Sequence, residues 1–211
     1  MESLDTFTQL PVTIDPQTKA VSCHPTTTAI STELSALNAL HRSLVRDLDA
    51  TVAPHGVPPP PVPVNPKRSA QITKLRETGN ASFKKGQYAD AARMYSLAID
   101  MAVGRPVWEP SGLVREELSA LYGNRAQAKM AGQDWPGAAA DAECSVELKK
   151  VGNVKGWWRR GTCLREMGRL EEAREWVREA KEFEGVGPDK EGVKELEALE
   201  REIESRIAKK G

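Results

Sequence analysis

Residues 72–102 read ITKLRETGNASFKKGQYADAARMYSLAIDMA, residues 118–148 read LSALYGNRAQAKMAGQDWPGAAADAECSVEL, and residues 154–184 read VKGWWRRGTCLREMGRLEEAREWVREAKEFE. Each stretch has two runs of helical periodicity with a turn between them, at Gly86-Gln87-Tyr88, Gln133-Asp134-Trp135 and Gly168-Arg169-Leu170. Each second helix opens on a small residue: Ala91, Ala138 and Ala173. These stand 47 and 35 residues apart, so the longer interval holds an insertion around 103–112, VGRPVWEPSG. A pair of helices cannot bury its apolar faces alone, and stacked copies bury a continuous core. Small residues belong where backbones approach: Gly79, Ala91 and Ala98, then Ala126, Ala138 and Ser145, then Gly161, Ala173 and Ala180. Leu75, Phe83, Tyr88, Tyr95, Leu121, Trp135, Trp157, Leu164, Leu170 and Val177 fill the spaces between them. Gly86 and Gly168 suit the left-handed residue that ends a helix.

A period near 34 residues with these small positions resembles the tetratricopeptide repeat, TPR. The expected fold class is mostly α: a three-repeat TPR solenoid over 68–185 with a capping helix over 186–211. Gly185-Val186-Gly187-Pro188 breaks the chain before that helix, whose Val193, Leu196, Leu199, Ile203 and Ile207 recur at helical spacing. A small α+β hairpin-helix unit precedes the repeats over 1–53, with a proline-rich connector over 54–67. In that unit 7–14 and 20–24 read as strands around the turn residues Asp15–Lys19. Ser31 is the expected cap of a helix over Thr32–Asp49, and the prolines after it read as polyproline II.

Composition bounds the function. Lys+Arg and Asp+Glu both number 30, so bulk charge points to neither nucleic acid nor a membrane surface. The chain has no apolar run near the roughly 20 residues of a bilayer span, and MESLDTFTQL lacks a signal-peptide pattern. Direct membrane insertion is therefore not expected. Cys23, Cys144 and Cys163 read as reduced, mostly packing thiols. His24, His41 and His55 are scattered, with no metal-ligand spacing, nucleophile elbow or phosphate loop. The expectation is a protein that is not an enzyme, with no catalytic residues, no metal and no cofactor.

The informative set lies on the first helices of the repeats. Arg76 and Asn80 are four apart and share a helix face, Asn124 lies in the second repeat, and Lys155 and Arg159 are again four apart in the third. Arg76-Glu77-Thr78-Gly79-Asn80, Asn124-Arg125 and Lys155-Gly156-Trp157-Trp158-Arg159 resemble the dicarboxylate clamp of chaperone-binding TPR domains. That resemblance implies a groove that holds the Glu-Glu-Val-Asp tail of cytosolic heat-shock chaperones. It makes Arg76, Asn80, Asn124, Lys155 and Arg159 the peptide-binding residues, with Phe83 and Trp158 as further candidates. A terminal Asp carries two carboxylates. Charge-assisted bonds to them contribute roughly 1.5–3 kcal/mol each, which after ordering costs suggests an affinity on the order of micromolar. Two positions depart from the family pattern: Arg76 stands where Lys is usual, and Ala131 where a further lysine is common.

The whole chain is similar to the soluble TPR subunits of fungal Sec post-translational translocation complexes at the endoplasmic reticulum. The segments Leu10–Asp15 and Val21–Pro25 carry the specific match. The resemblance implies a peripheral adaptor on the cytosolic face, with two partners: chaperone tails and a membrane-anchored sister subunit. A free cytosolic co-chaperone and a structural scaffold gripping a partner helix are the alternatives.

Overall fold

A computed structural model describes residues 9–47, 64, 66–107 and 109–209, with only the backbone for 43–47. The connector expected over 54–67 therefore lies largely outside the described residues. The chain divides into two units, Met1–Asn65 and Pro66–Gly211.

The first unit is a hairpin and a helix. Strands β1 (Val12–Ile14) and β2 (Val21–Cys23) pair antiparallel in the register Val12↔Cys23, Thr13↔Ser22, Ile14↔Val21. Both are shorter than the sequence runs suggest. Asp15 closes the turn, its Oδ1 accepting from the backbone N–H groups of Gln17 and Thr18 at 3.0 and 2.6 Å. Helix α1 spans Thr28–Asp47, starting four residues before the expected Thr32. The reason is a different cap: Thr27 Oγ1 accepts from Ile30 N at 3.3 Å, and Ser31 falls inside the helix, its carbonyl accepting from Ser35 Oγ at 2.7 Å. Asn38 on α1 completes the outer edge of β2, accepting from Val21 N and donating to Val21 O, both at 2.8 Å. A side-chain amide thus stands in for a third strand there. Leu10, Val12 and Ile14 remain exposed on one face of β1 and its approach, at 42%, 49% and 64%.

The second unit is seven helices among the described residues: α2 (Pro66–Lys84), α3 (Tyr88–Val103), α4 (Ser111–Ala131), α5 (Trp135–Leu148), α6 (Val154–Glu166), α7 (Leu170–Glu184) and α8 (Lys190–Ala208). They pack in sequence, α2 with α3, α4 with α5, α6 with α7, and α8 lies against both α7 and α6. That is the packing of a TPR solenoid with its closing helix. Ala91, Ala138 and Ala173 are fully buried, as the repeat pattern demands. One core joins Ile72, Tyr95, Ile99, Leu118 and Leu121 across α2–α4; another joins Val146, Trp157, Leu164, Val177, Leu196, Leu199 and Ile203 across α5–α8. Tyr88 is more exposed than a core residue and leans on Phe83 with ring centroids 5.4 Å apart.

The turns show why the sequence breaks where it does. Gly86 and Gly168 take φ of 77° and 75°, and Gln133 takes 62° at the matching turn of the second repeat. Asp134, Asn153 and Asp189 cap α5, α6 and α8 by accepting from the N–H groups of Gly137, Gly156 and Gly192. The insertion between α3 and α4 is anchored by a cation. Arg105 bonds Glu109 at 2.5 Å, Glu117 through two nitrogens at 2.7 Å, and Ser69 on α2 at 2.9 Å, all largely out of water. Glu184, at the end of α7, is fully buried and accepts from the N–H groups of Gly152 and Asn153 at 2.9 and 2.7 Å, fixing the loop that enters α6.

Candidate functional site: a cleft across the first helices

Helices α4 and α6 lie side by side, and a cleft of about 290 Å³ opens between them. Asn124 of α4 and Lys155 and Arg159 of α6 line it together, with Ser119, Lys149 and Asn153. A second cleft, of about 480 Å³, continues past Lys155 and Arg159 toward α8 and is lined also by Gln127, Trp158, Glu195 and Ala198. The structure thus brings three of the five sequence-derived residues around one cleft. Arg76 and Asn80 sit on α2 and line neither cleft.

Arg159 differs from the other arginines packed into this solenoid. Arg105, Arg125, Arg160 and Arg165 each meet a carboxylate. The side-chain bond of Arg159 runs from Nε to the neutral Oε1 of Gln127, at 2.9 Å. Burial without a counter-ion pushes its pKa down, yet a guanidinium stays charged at physiological pH. Its position depends on Gly123: a Cβ there would stand 3.2 Å from Nη1 and 3.3 Å from Ser145 Oγ. Lys155 is exposed and has no ion pair among the described residues. The cleft therefore holds two cations whose charge is not cancelled.

Its other wall is rigid and satisfied. Ser145 Oγ donates to Ser119 O at 2.8 Å, Ser119 Oγ donates to Ser145 O at 2.9 Å, and Asn153 Nδ2 donates to Ser145 O at 3.0 Å. Lys149 reaches Glu116 at 3.0 Å at the mouth. Arg125, the neighbour of Asn124, points elsewhere. It grips Asp141 with two nitrogens at 2.8 and 2.7 Å, and Asp141 also meets Lys129 at 2.8 Å. The Asn124-Arg125 pair thus splits into a cleft-lining amide and a structural cation.

On α2, Tyr95 Oη donates to Asn80 Oδ1 at 2.7 Å. The bond orients the amide and leaves its Nδ2 donors for a ligand. Gly79 makes this possible, since a Cβ there would stand 2.7 Å from the Tyr95 ring. Phe83 is half-buried against the α2–α4 core. Trp158 is half-buried against the core and also lines the second cleft. Sequence reading missed Gln127, Gly123, Ser119, Asn153 and Glu195. For Gln127 a signal existed: it stands 47 residues after Asn80, the same offset as Ala138 from Ala91, so both are amides at one repeat position. Gly123-Asn124 carries the same dipeptide as Gly79-Asn80 but 44 residues on, three short of that offset.

Helix pairing, buried small residues and a cleft along the first helices define a tetratricopeptide-repeat protein. No family model matches the sequence. Over 128 residues the chain is 38% identical to the ER protein translocation subcomplex subunit sec67 of Schizosaccharomyces pombe, a match that covers 60% of this chain and 66% of sec67, just under two thirds. The fold is shared by a chain in the cryo-EM structure of the Sec complex from S. cerevisiae, with TM-score 0.64 and 19% identity over 95% of this chain and 99% of that one. It also matches the first TPR of Spaghetti (RPAP3), solved bound to the HSP90 peptide SRMEEVD, with TM-score 0.51 and 26% identity over 66% of this chain and 95% of that one. Among the described residues no helix is long and apolar enough to cross a membrane.

Proposed function

We propose that this chain is a non-catalytic adaptor of the protein-translocation machinery of the endoplasmic reticulum. In this reading its groove holds the acidic carboxyl-terminal tail of cytosolic heat-shock chaperones. Arg159 is the observation that carries it: a desolvated cation on a neutral acceptor, beside a second cation and an amide, with room for a carboxylate. Burying such a charge unpaired is costly, and a ligand carboxylate relieves that cost. Lys155 and Arg159 meet the two carboxylates of a terminal Asp, and Asn124, with Asn80 and Arg76 on α2, supplies donors along the tail.

The similarity to sec67 supports the translocation role, and the RPAP3 domain, bound to a peptide ending in Glu-Glu-Val-Asp, supports the ligand class. The cytosolic face of the endoplasmic reticulum is then its place, reached through a membrane-anchored sister subunit. The apolar face formed by Leu10, Val12 and Ile14 on the first unit is the surface offered to that subunit. Titration of the full chain with SRMEEVD tests the groove. Arg159→Ala lowers affinity by about 1.5–3 kcal/mol with helicity by circular dichroism unchanged. Unchanged affinity would refute the assignment. Recovery of the chain in the soluble fraction of a membrane preparation would leave a free co-chaperone in place of a translocation subunit.

A further inference from the structure

The second cleft contains a charge that the clamp does not use. Glu195, on α8, is exposed on the wall across from Lys155, Trp158 and Arg159, with Ala198 one turn further along the same helix. Four other carboxylates of α8 are committed to cations: Glu191 to Lys194, Glu200 to Arg178 and Lys181, Glu202 to Arg165 and Arg206, Glu204 to Arg178; Glu197 is exposed and does not line the cleft. Glu195 has no ion pair among the described residues. Its cleft is continuous with the first one, because Lys155 and Arg159 line both. A peptide whose end is held at Lys155 and Arg159 can thus lay its preceding residues between Trp158 and α8.

We propose that this cleft is a specificity subsite, in which Glu195 and the Trp158 ring select a basic side chain a few residues before the acidic end of the ligand. The proposal rests on the clamp reading of the neighbouring cleft. Before binding, Lys155 and Arg159 oppose a second cation. Once the terminal carboxylates of the ligand neutralise them, Glu195 is the charge left in the cleft, and it favours Lys or Arg over an apolar or acidic residue. The aliphatic stem of such a side chain covers Trp158 and Ala198, its head reaches Glu195, and the indole face adds a cation–π attraction. The capping helix that closes the solenoid therefore doubles as the reader of the sequence upstream of the tail.

The probe is SRMEEVD, titrated by fluorescence anisotropy into the full chain, together with peptides in which a single Arg is walked through the three residues before Glu-Glu-Val-Asp, an Arg-free form, and a C-terminally amidated form. The expected result is that one Arg position binds about three- to fivefold tighter than the Arg-free peptide, the scale of a half-exposed ion pair. Glu195→Gln erases that preference, read as the ratio of the Arg-bearing to the Arg-free affinity, and Glu195→Lys reverses it in favour of Glu at the same position. Equal binding of all Arg positions and the Arg-free form, or a preference that survives Glu195→Gln, would overturn the subsite while leaving the clamp intact. Equal binding of the amidated and free-acid peptides, or no binding at all, would overturn both.

Discussion

Arg159 shows how one neutral neighbour decides what a half-buried cation does. Had Gln127 been Glu, the guanidinium would have its own carboxylate, as Arg125 has in Asp141. Gln127→Glu tests this with almost no change of shape. The substitution raises the thermal midpoint through the new pair and weakens an acidic-tailed peptide by tenfold or more, on the order of one lost charged bond. Retained affinity would show that Arg159 does not meet the ligand charge. The deeper thiol makes a pH statement. Cys163 is fully buried and burial pushes its pKa up from 9.0 to about 12. A raised folded pKa favours the protonated form in the fold. Its contribution to stability is therefore full below pH 9 and is lost as pH rises toward about 12. Denaturant midpoints should fall across that window in wild type and fall less in Cys163→Ala, while a thiol reagent at pH 8 labels the exposed Cys144 and spares Cys163. Rapid labelling of Cys163 in the native protein would contradict its burial. Lys155 and Arg159 were legible in the sequence, because basic residues at four-residue spacing declare a shared face, whereas Lys149, Glu116 and Glu195 of the same clefts carry no such signal. Gln127 announces itself only as an amide at the repeat position of Asn80; that it leaves Arg159 without a counter-charge, and that Gly123 makes room beside it, only the contact reveals.

At the scale of elements, the helices follow from periodicity and caps, and the deviations have local causes. The early start of α1 comes from Thr27, whose hydroxyl competes successfully with Ser31 for the cap. Asn38 on α1 holds the outer edge of β2 at Val21, a partner that no run of strand residues announces. The insertion before α4 reads as a loop from its Gly and Pro residues, yet Arg105 turns it into a buried ionic anchor that no local pattern announces. Turn chemistry supplies the sharpest test. Gly86 and Gly168 hold positive φ at little cost, whereas Gln133 holds 62° with a Cβ. Gln133→Gly should stabilise the repeat unit by about 1 kcal/mol in denaturant unfolding, with no effect on the clefts. A loss of stability would mean that the side chain contributes more than the strain costs.

On the whole-molecule scale, the division of labour matches the two units. The solenoid was readable because three agreeing copies constrain one another: each small residue, turn and filler is checked twice more along the chain. The first unit offers one copy of each signal, and its boundaries moved accordingly. The surfaces divide the same way. The repeats present a cleft with uncancelled positive charge, and the first unit presents exposed apolar side chains on a short strand. In the proposed reading a ligand with a free carboxyl terminus meets Lys155 and Arg159. Calorimetric titration of the full chain with SRMEEVD and with the same peptide amidated at its end tests this most directly, since amidation removes one carboxylate and alters nothing upstream. The expected affinity is on the order of micromolar for the free acid, reduced tenfold or more by amidation. Equal affinity for the two peptides would contradict it.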